Sequence, residues 1–195
     1  LDVDSSSQRM FFGQLPQYVT LPEKKVSDEM SLRFFFRPIF SVDRASREFI
    51  ISYCNPGNPI EFFIYDSNGK SQNSFSYVFD KHYKVPDFLV KGASPPNSMK
   101  FTTISVHKIF VHKNRYIVFV SKLKFLGEVR KFREPLKYDR TLVCLIFDKK
   151  SKKIRARFPA PNDLEVFSLN KDGLLAGYGK DEDENAVVRV YQLEL

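Results

Sequence analysis

The chain has 195 residues, of which 43% are hydrophobic and 15% aromatic, and it carries a formal net charge of +8. That is enough apolar material for one packed domain, and the lack of any tract of about 18 or more apolar residues excludes a helical membrane span. The sequence opens on Leu1 and not on Met, so a removed leader is compatible with it and export stays open.

Taken from the start, Leu1 to Phe12 lines up with the later phrase Tyr65-Asp66-Ser67-Asn68-Gly69-Lys70 and the strand that follows it. Residues 1–35 therefore read as the end of an earlier unit and a connection. The first full unit, residues 36–80, runs Ile39 to Val42, a turn at Asp43 to Arg47, then Phe49 to Tyr53. A Pro/Gly/Asn loop, Asn55 to Pro59, leads to Phe62 to Asp66, and a Ser-Asn-Gly-Lys turn leads to Gln72 to Tyr77. The second unit, residues 81–160, repeats the phrase as Ile109 to Val111, Tyr116 to Val120, Leu142 to Asp148 and Lys153 to Arg157, with a long insertion before its third strand. The third, residues 161–195, gives Val166 to Leu169, Leu174 to Tyr178 and Val187 to Tyr191, without a fourth strand.

Short runs of Phe, Ile, Val and Tyr bounded by Asn, Asp, Gly and Lys favour strands. No segment keeps a helical stripe over several turns. The third strand of each unit is apolar nearly throughout, as expected when both faces of a sheet are covered. A repeat of about 40 residues built from four short strands is the pattern of a propeller blade. The expected fold class is thus all-β, a β-propeller of which this chain covers about three four-stranded antiparallel blades. On this reading the parent is a longer ring whose N-terminal part supplies the missing last strand; a smaller sandwich is the alternative.

The closing stretch, Phe167-Ser168-Leu169-Asn170-Lys171-Asp172-Gly173 followed by Asp183-Glu184-Asn185-Ala186-Val187-Val188-Arg189-Val190-Tyr191-Gln192-Leu193, resembles the last blade of six-bladed propeller proteins of Bacteroidetes. Those often end in Glu-Asn-Pro, an apolar run and Tyr-Lys-Leu; here Ala186 stands for the proline and Gln192 for the lysine. The clear resemblance covers about the last 30 residues. It implies a propeller fold and an exported, often lipid-anchored protein of the periplasm or outer-membrane surface. It attaches no reaction.

Much of the positive charge lies between Lys122 and Arg140, where Lys122, Lys124, Arg130, Lys131, Arg133, Lys137 and Arg140 alternate with Phe125, Leu126, Phe132 and Tyr138. A basic loop on a blade face is a candidate contact surface for an anionic partner. Arg130, Lys131, Arg133 and Arg140 are the candidate ligand-binding residues, joined by His82, which lies with Asp80, Tyr83 and Asp87 in the connection between the first two units. The competing reading is a solvated two-stranded extension whose aromatic residues pack on the blade. A second cluster, Lys149 to Arg157, falls on an outer strand, where charges block edge pairing.

No nucleic-acid motif is present, and the acidic loop Asp181-Glu182-Asp183-Glu184 belongs to the same blade face as the basic insertion, so nucleic acid is not an expected partner. His82, His107 and His112 have no Cys or carboxylate at metal-ligand spacing, so no metal and no cofactor are expected. His112 reads as a surface residue in a turn, and His107 flanks an innermost strand. Hydrolase elbows and phosphate-binding glycine loops are absent. Cys54 and Cys144 sit too far apart in the repeat to bond, and Cys144 reads as a buried small hydrophobe. The function expected from all this is a non-catalytic binding or scaffold protein of the bacterial cell envelope, contacting a glycan or a protein through propeller-face loops. The alternative is an enzyme acting on carbohydrate or another polymer at the propeller axis.

Overall fold

A computed structural model describes residues 37–54, 57–87, 100–127 and 137–193. Every element among them is a strand: β1 (Pro38–Asp43), β2 (Glu48–Tyr53), β3 (Ile60–Tyr65), β4 (Ser71–Tyr77), β5 (Phe101–His112), β6 (Arg115–Phe125), β7 (Tyr138–Asp148), β8 (Ile154–Ala160), β9 (Glu165–Leu169), β10 (Leu174–Lys180) and β11 (Ala186–Gln192). They form three antiparallel meanders, ordered β1-β2-β3-β4, β5-β6-β7-β8 and β11-β10-β9. These are blade-like sheets, and the described residues do not close them into a ring. The first strands are neighbours, β1 beside β5 and β5 beside β9.

The recurring polar turns have one physical cause. In each, an Asx side chain accepts backbone N–H groups just ahead of it and so holds the chain in a tight reversal. Asp66 accepts from Asn68 and Lys70, both at 2.9 Å. Asp148 accepts from Ser151 at 2.7 Å, Asn170 from Asp172 and Leu174 at 2.9 and 2.8 Å, and Asp181 from Asp183 and Asn185 at 3.0 and 2.8 Å. The left-handed position falls on glycine in two of these turns, Gly69 at φ 78° and Gly173 at φ 86°, where a Cβ would be strained.

Two apolar layers separate the three sheets. Between the first and second lie Ile50, Phe62, Ile64, Ile109, Tyr116, Val118, Val120, Leu145 and Phe147. Aromatic rings interlock there, Phe62 stacking on Phe75 at 4.7 Å and meeting Phe147 at 5.6 Å. Between the second and third lie Ile117, Phe119, Leu142, Cys144, Ile146, Leu164 and Leu175. The second sheet is thus covered on both faces, which is why β7 is buried from Leu142 to Phe147.

Polar contacts hold the same stack. The carbonyl of Cys54 in the first sheet accepts the Val106 N–H of the second at 3.0 Å. Lys149, in the turn after β7, reaches across to Asp43 and to Glu48, the latter at 3.1 Å. Arg157 donates to the Phe79 carbonyl at 3.1 Å and lies over the Phe79 ring at 4.7 Å. The cluster from Lys149 to Arg157, expected to guard an edge, therefore also clamps neighbouring sheets together.

The described ends of the second unit's insertion are strand, β6 continuing to Phe125 and β7 beginning at Tyr138, as a two-stranded extension requires. One expectation changes. His112 is the last residue of β5 and only 6% exposed, not a surface turn residue. The reversal after it takes just Lys113 and Asn114, and the imidazole turns inward to hydrogen-bond the backbone of Asn170; burial lowers its pKa.

Candidate functional site

In the β6–β7 hairpin Lys122 pairs with Thr141 and Leu123 with Arg140. Paired residues share a face and successive residues alternate. Lys122 therefore follows Val118 and Val120 toward the first sheet, while Arg140 follows Leu142 and Cys144 toward the third. His82 and Arg140, grouped by charge pattern in the sequence, consequently lie on opposite sides of the second sheet.

On the first side His82 lines a cleft of about 360 Å³ with Phe79, Asp80, Lys122, Thr141 and Arg157. Three of its charged residues, Asp80, Lys122 and Arg157, are already engaged. Asp80 accepts from Lys122 at 2.5 Å and from the His82 N–H at 2.9 Å, and the Lys122 hydrogen bond is the largest cause of its lowered pKa. Arg157 is held by the Phe79 carbonyl, as above.

The second side differs. Between β5, β6 and β7 and the start of the third sheet lies a cavity of about 290 Å³ lined by His107, Phe119, Leu123, Tyr138, Arg140, Leu142, Leu164, Glu165 and Val166. Arg140 donates through Nη2 to the Leu164 carbonyl at 3.3 Å, but its buried Nε has no hydrogen-bond partner. None of the ion pairs among the described residues includes it. Burial is the largest cause of its lowered pKa, partly offset by Tyr138, Glu165 and Asp163. A buried guanidinium N–H without an acceptor is a costly arrangement that an incoming oxygen would relieve.

His107 comes to this cavity through a β-bulge. The register of β5 against β6 slips between Val106 and Lys108, which turns the intervening His107 toward the third sheet. Its ring nitrogen lies 2.6 Å from Ser121 Oγ. Burial first, then Arg140 and Arg37, push its pKa down to about 4, so the imidazole is neutral at pH 7. A Ser–His contact can suggest a nucleophile and its base, yet Ser121 is 0% exposed and the imidazole is a weak base. The pair orients a neutral ring and offers no open nucleophile.

Aromatic rings extend the cavity to the surface. Phe101 stacks on Phe125 at 4.2 Å and Phe125 meets Tyr138 at 5.6 Å, a ladder across β5, β6 and β7. Tyr138 ends it, half exposed beside Arg140.

Of the five residues picked from the sequence, Arg140 lines this cavity and His82 the other cleft; Arg130, Lys131 and Arg133 lie outside the described residues. His107 and Glu165 were not among the five. A signal for His107 is present in β5, where the apolar phase changes from Ile104 and Val106 to Ile109 and Val111; such a break marks a bulge. For Glu165 no local signal exists, since the fold alone brings it across from the third sheet. No group of three or more His, Cys, Asp or Glu residues among the described residues could hold a metal ion. Neither Cys54 nor Cys144 is in a disulfide. No protein-family model matches the chain, and no curated protein or solved structure matches it either, so no ligand or reaction carries over from a relative.

Proposed function

We propose that the protein is a non-catalytic binding protein of a bacterial cell envelope, formed of blades of a longer propeller, that holds an acidic glycan at the loop end of its second and third sheets. The observation that carries this reading is Arg140: a guanidinium with an unpartnered Nε in the wall of a cavity, next to a half-exposed tyrosine. Guanidinium groups recognise carboxylates through directed, charge-assisted hydrogen bonds, and an aromatic ring at the mouth offers an apolar face to a sugar ring. The net charge of +8 adds long-range attraction for a polyanion. Export and the envelope setting rest on the resemblance of the closing stretch to last blades of exported propellers.

The test is binding of a uronate-bearing polysaccharide against a neutral polysaccharide of similar size, measured at fixed ionic strength for the wild type and Arg140→Gln. A charge-assisted hydrogen bond is worth about 1.5–3 kcal/mol, so the substitution should weaken binding at least about ten-fold. Equal binding by the variant, or preference for the neutral polymer, would overturn the reading. Incubation should leave the length of the acidic polymer unchanged; new chain ends would instead identify an enzyme.

A further inference from the structure

We infer that the cavity between the second and third sheets takes up a proton together with its anionic ligand, that His107 receives this proton, and that binding therefore tightens as the pH falls. This rests on the glycan-binding reading of the same cavity and adds the condition that regulates it.

The geometry puts the two groups that matter in one wall. The bulge between Val106 and Lys108 turns His107 into the lining that Arg140 shares, and Arg140 keeps an Nε–H without a hydrogen-bond partner there. An anion that accepts from Arg140 thus enters the space beside the imidazole. Among the described residues, the elements around this space bring Ser121 on β6, Tyr138 with Arg140 on β7, Glu165 on β9, Asp163 ahead of β9 and Arg37 ahead of β1.

The direction of the coupling follows from a difference and not from a sum. Fixed charges act on His107 in the free and in the bound protein alike, so they cancel when the two are compared. Binding adds a negative charge, and a negative charge beside an imidazole favours its protonated form. It also offsets Arg140, which after burial is the first influence holding the ring neutral. The ring is already desolvated without a ligand, so the charge is the main thing that an arriving anion changes. Ser121 accommodates the switch, because a hydroxyl donates to a neutral ring nitrogen and accepts from a protonated one, keeping its 2.6 Å contact either way.

A unit charge several ångströms away, at an effective dielectric of about 20, moves a neighbouring titration by about one to two on the pH scale. From a starting point of about 4, the His107 midpoint should reach about 5 to 6 in the complex. Proton and anion then assist each other by the same factor, as linkage requires.

The experiment titrates the full chain with tetragalacturonate, whose carboxylates stay largely ionised over this range, at pH 5 and pH 7 and constant ionic strength. Calorimetry in two buffers of different ionisation enthalpy reads the protons taken up, and NMR follows the His107 imidazole with and without the oligomer. Expected are uptake of about 0.4–0.8 proton at pH 5 and less than about 0.1 at pH 7, with affinity about two- to ten-fold higher at pH 5. His107→Gln, with its melting temperature checked, should lose most of the uptake and most of the gain at pH 5, whereas Glu165→Gln should retain both. Uptake that persists in His107→Gln and vanishes in Glu165→Gln would put the proton on the glutamate and overturn the inference. Should the His107 variant not fold, the wild-type midpoint decides alone. Arg140-dependent binding with no uptake and an unmoved His107 midpoint also overturns it, and leaves the binding reading standing. If no Arg140-dependent binding occurs at either pH, both fall.

Discussion

At the level of single residues, His107 is the group whose placement most affects how the protein responds to pH. Its pKa is pushed down to about 4, by burial above all and then by Arg140 and Arg37. In the unfolded chain it would titrate near 6.5. Between those values the unfolded state binds the extra proton, so stability is intact above about pH 6.5, falls as pH drops toward 4, and changes no further below it through this group. A shift of this size corresponds to about 3 kcal/mol across that window. Denaturant melts of the wild type and His107→Gln at pH 7, 5.5 and 4.5 should show the wild type losing stability on acidification and the variant following a flatter course; parallel curves would refute it. Arg140→Gln should raise the His107 titration midpoint without restoring it to 6.5, because burial outranks the Arg140 charge among its causes. Arg140 itself was legible in the sequence as a cation in a basic, aromatic-rich segment. The neutrality of His107 was not, because it depends on how deeply the bulge turns the ring between two sheets.

At the level of the element, β10 shows how close packing of the third sheet positions the cavity wall. A Cβ on Gly177 would stand 2.6 Å from Leu164 Cδ1 and 2.9 Å from the Glu165 carbonyl oxygen. The leucine tip can swing aside, but the backbone of Glu165 cannot, and β10 already shifts register between Ala176 and Gly177. Gly177→Ala should therefore cost about 1–3 kcal/mol through overpacking and weaken ligand binding, since Leu164 and Glu165 both line the cavity. Gly179 differs in what its Cβ would meet, the side chain of Arg189 at 2.9 Å from Nε and 3.0 Å from Cζ. That chain can move, at the expense of its 3.2 Å contact with Asp163, a surface pair worth about 1 kcal/mol or less. Thermal melts of the two alanine variants should rank Gly177→Ala as clearly the more destabilised; the reverse order would show that the Arg189 contact carries the sheet. The strands themselves were readable from their Phe, Ile, Val and Tyr runs and from the Asx turns between them, because both signals are local. The ends of β6 and β7, Ser121 to Phe125 and Tyr138 to Thr141, read as part of an insertion because Lys122, Lys124 and Arg140 interrupt the apolar run with charges. Those cations lie along strands that extend past the apolar core, a position that pairing decides and local composition does not.

At the level of the whole molecule, the order of the sheets decides which faces are satisfied. Side assignments such as Lys122 toward the first sheet and Arg140 toward the third depend on hairpin register, and a slip of one residue would exchange them; this is why the sequence grouped His82 with Arg140 and the structure separates them. The second sheet has a partner on each face. Among the described residues the third has one only on its Leu175 side, and the opposite face presents Leu174, Val188 and Val190, the two valines each 60% exposed. In addition, β11 has β10 on one side and no strand on the other among the described residues. An apolar face next to an open edge is the arrangement that promotes association of chains. On the propeller reading such a face belongs against a neighbouring blade, and without one it remains wet. The chain of 195 residues should therefore self-associate as its concentration rises, which sedimentation or light scattering would detect. Val190→Lys combined with Val188→Thr should suppress that association with little change in melting temperature, because both side chains point away from the core shared with the second sheet. A wild-type chain that stays monomeric at high concentration, or a double variant that unfolds, would show that this face is covered within the chain and would weaken the view of these sheets as blades of a larger ring.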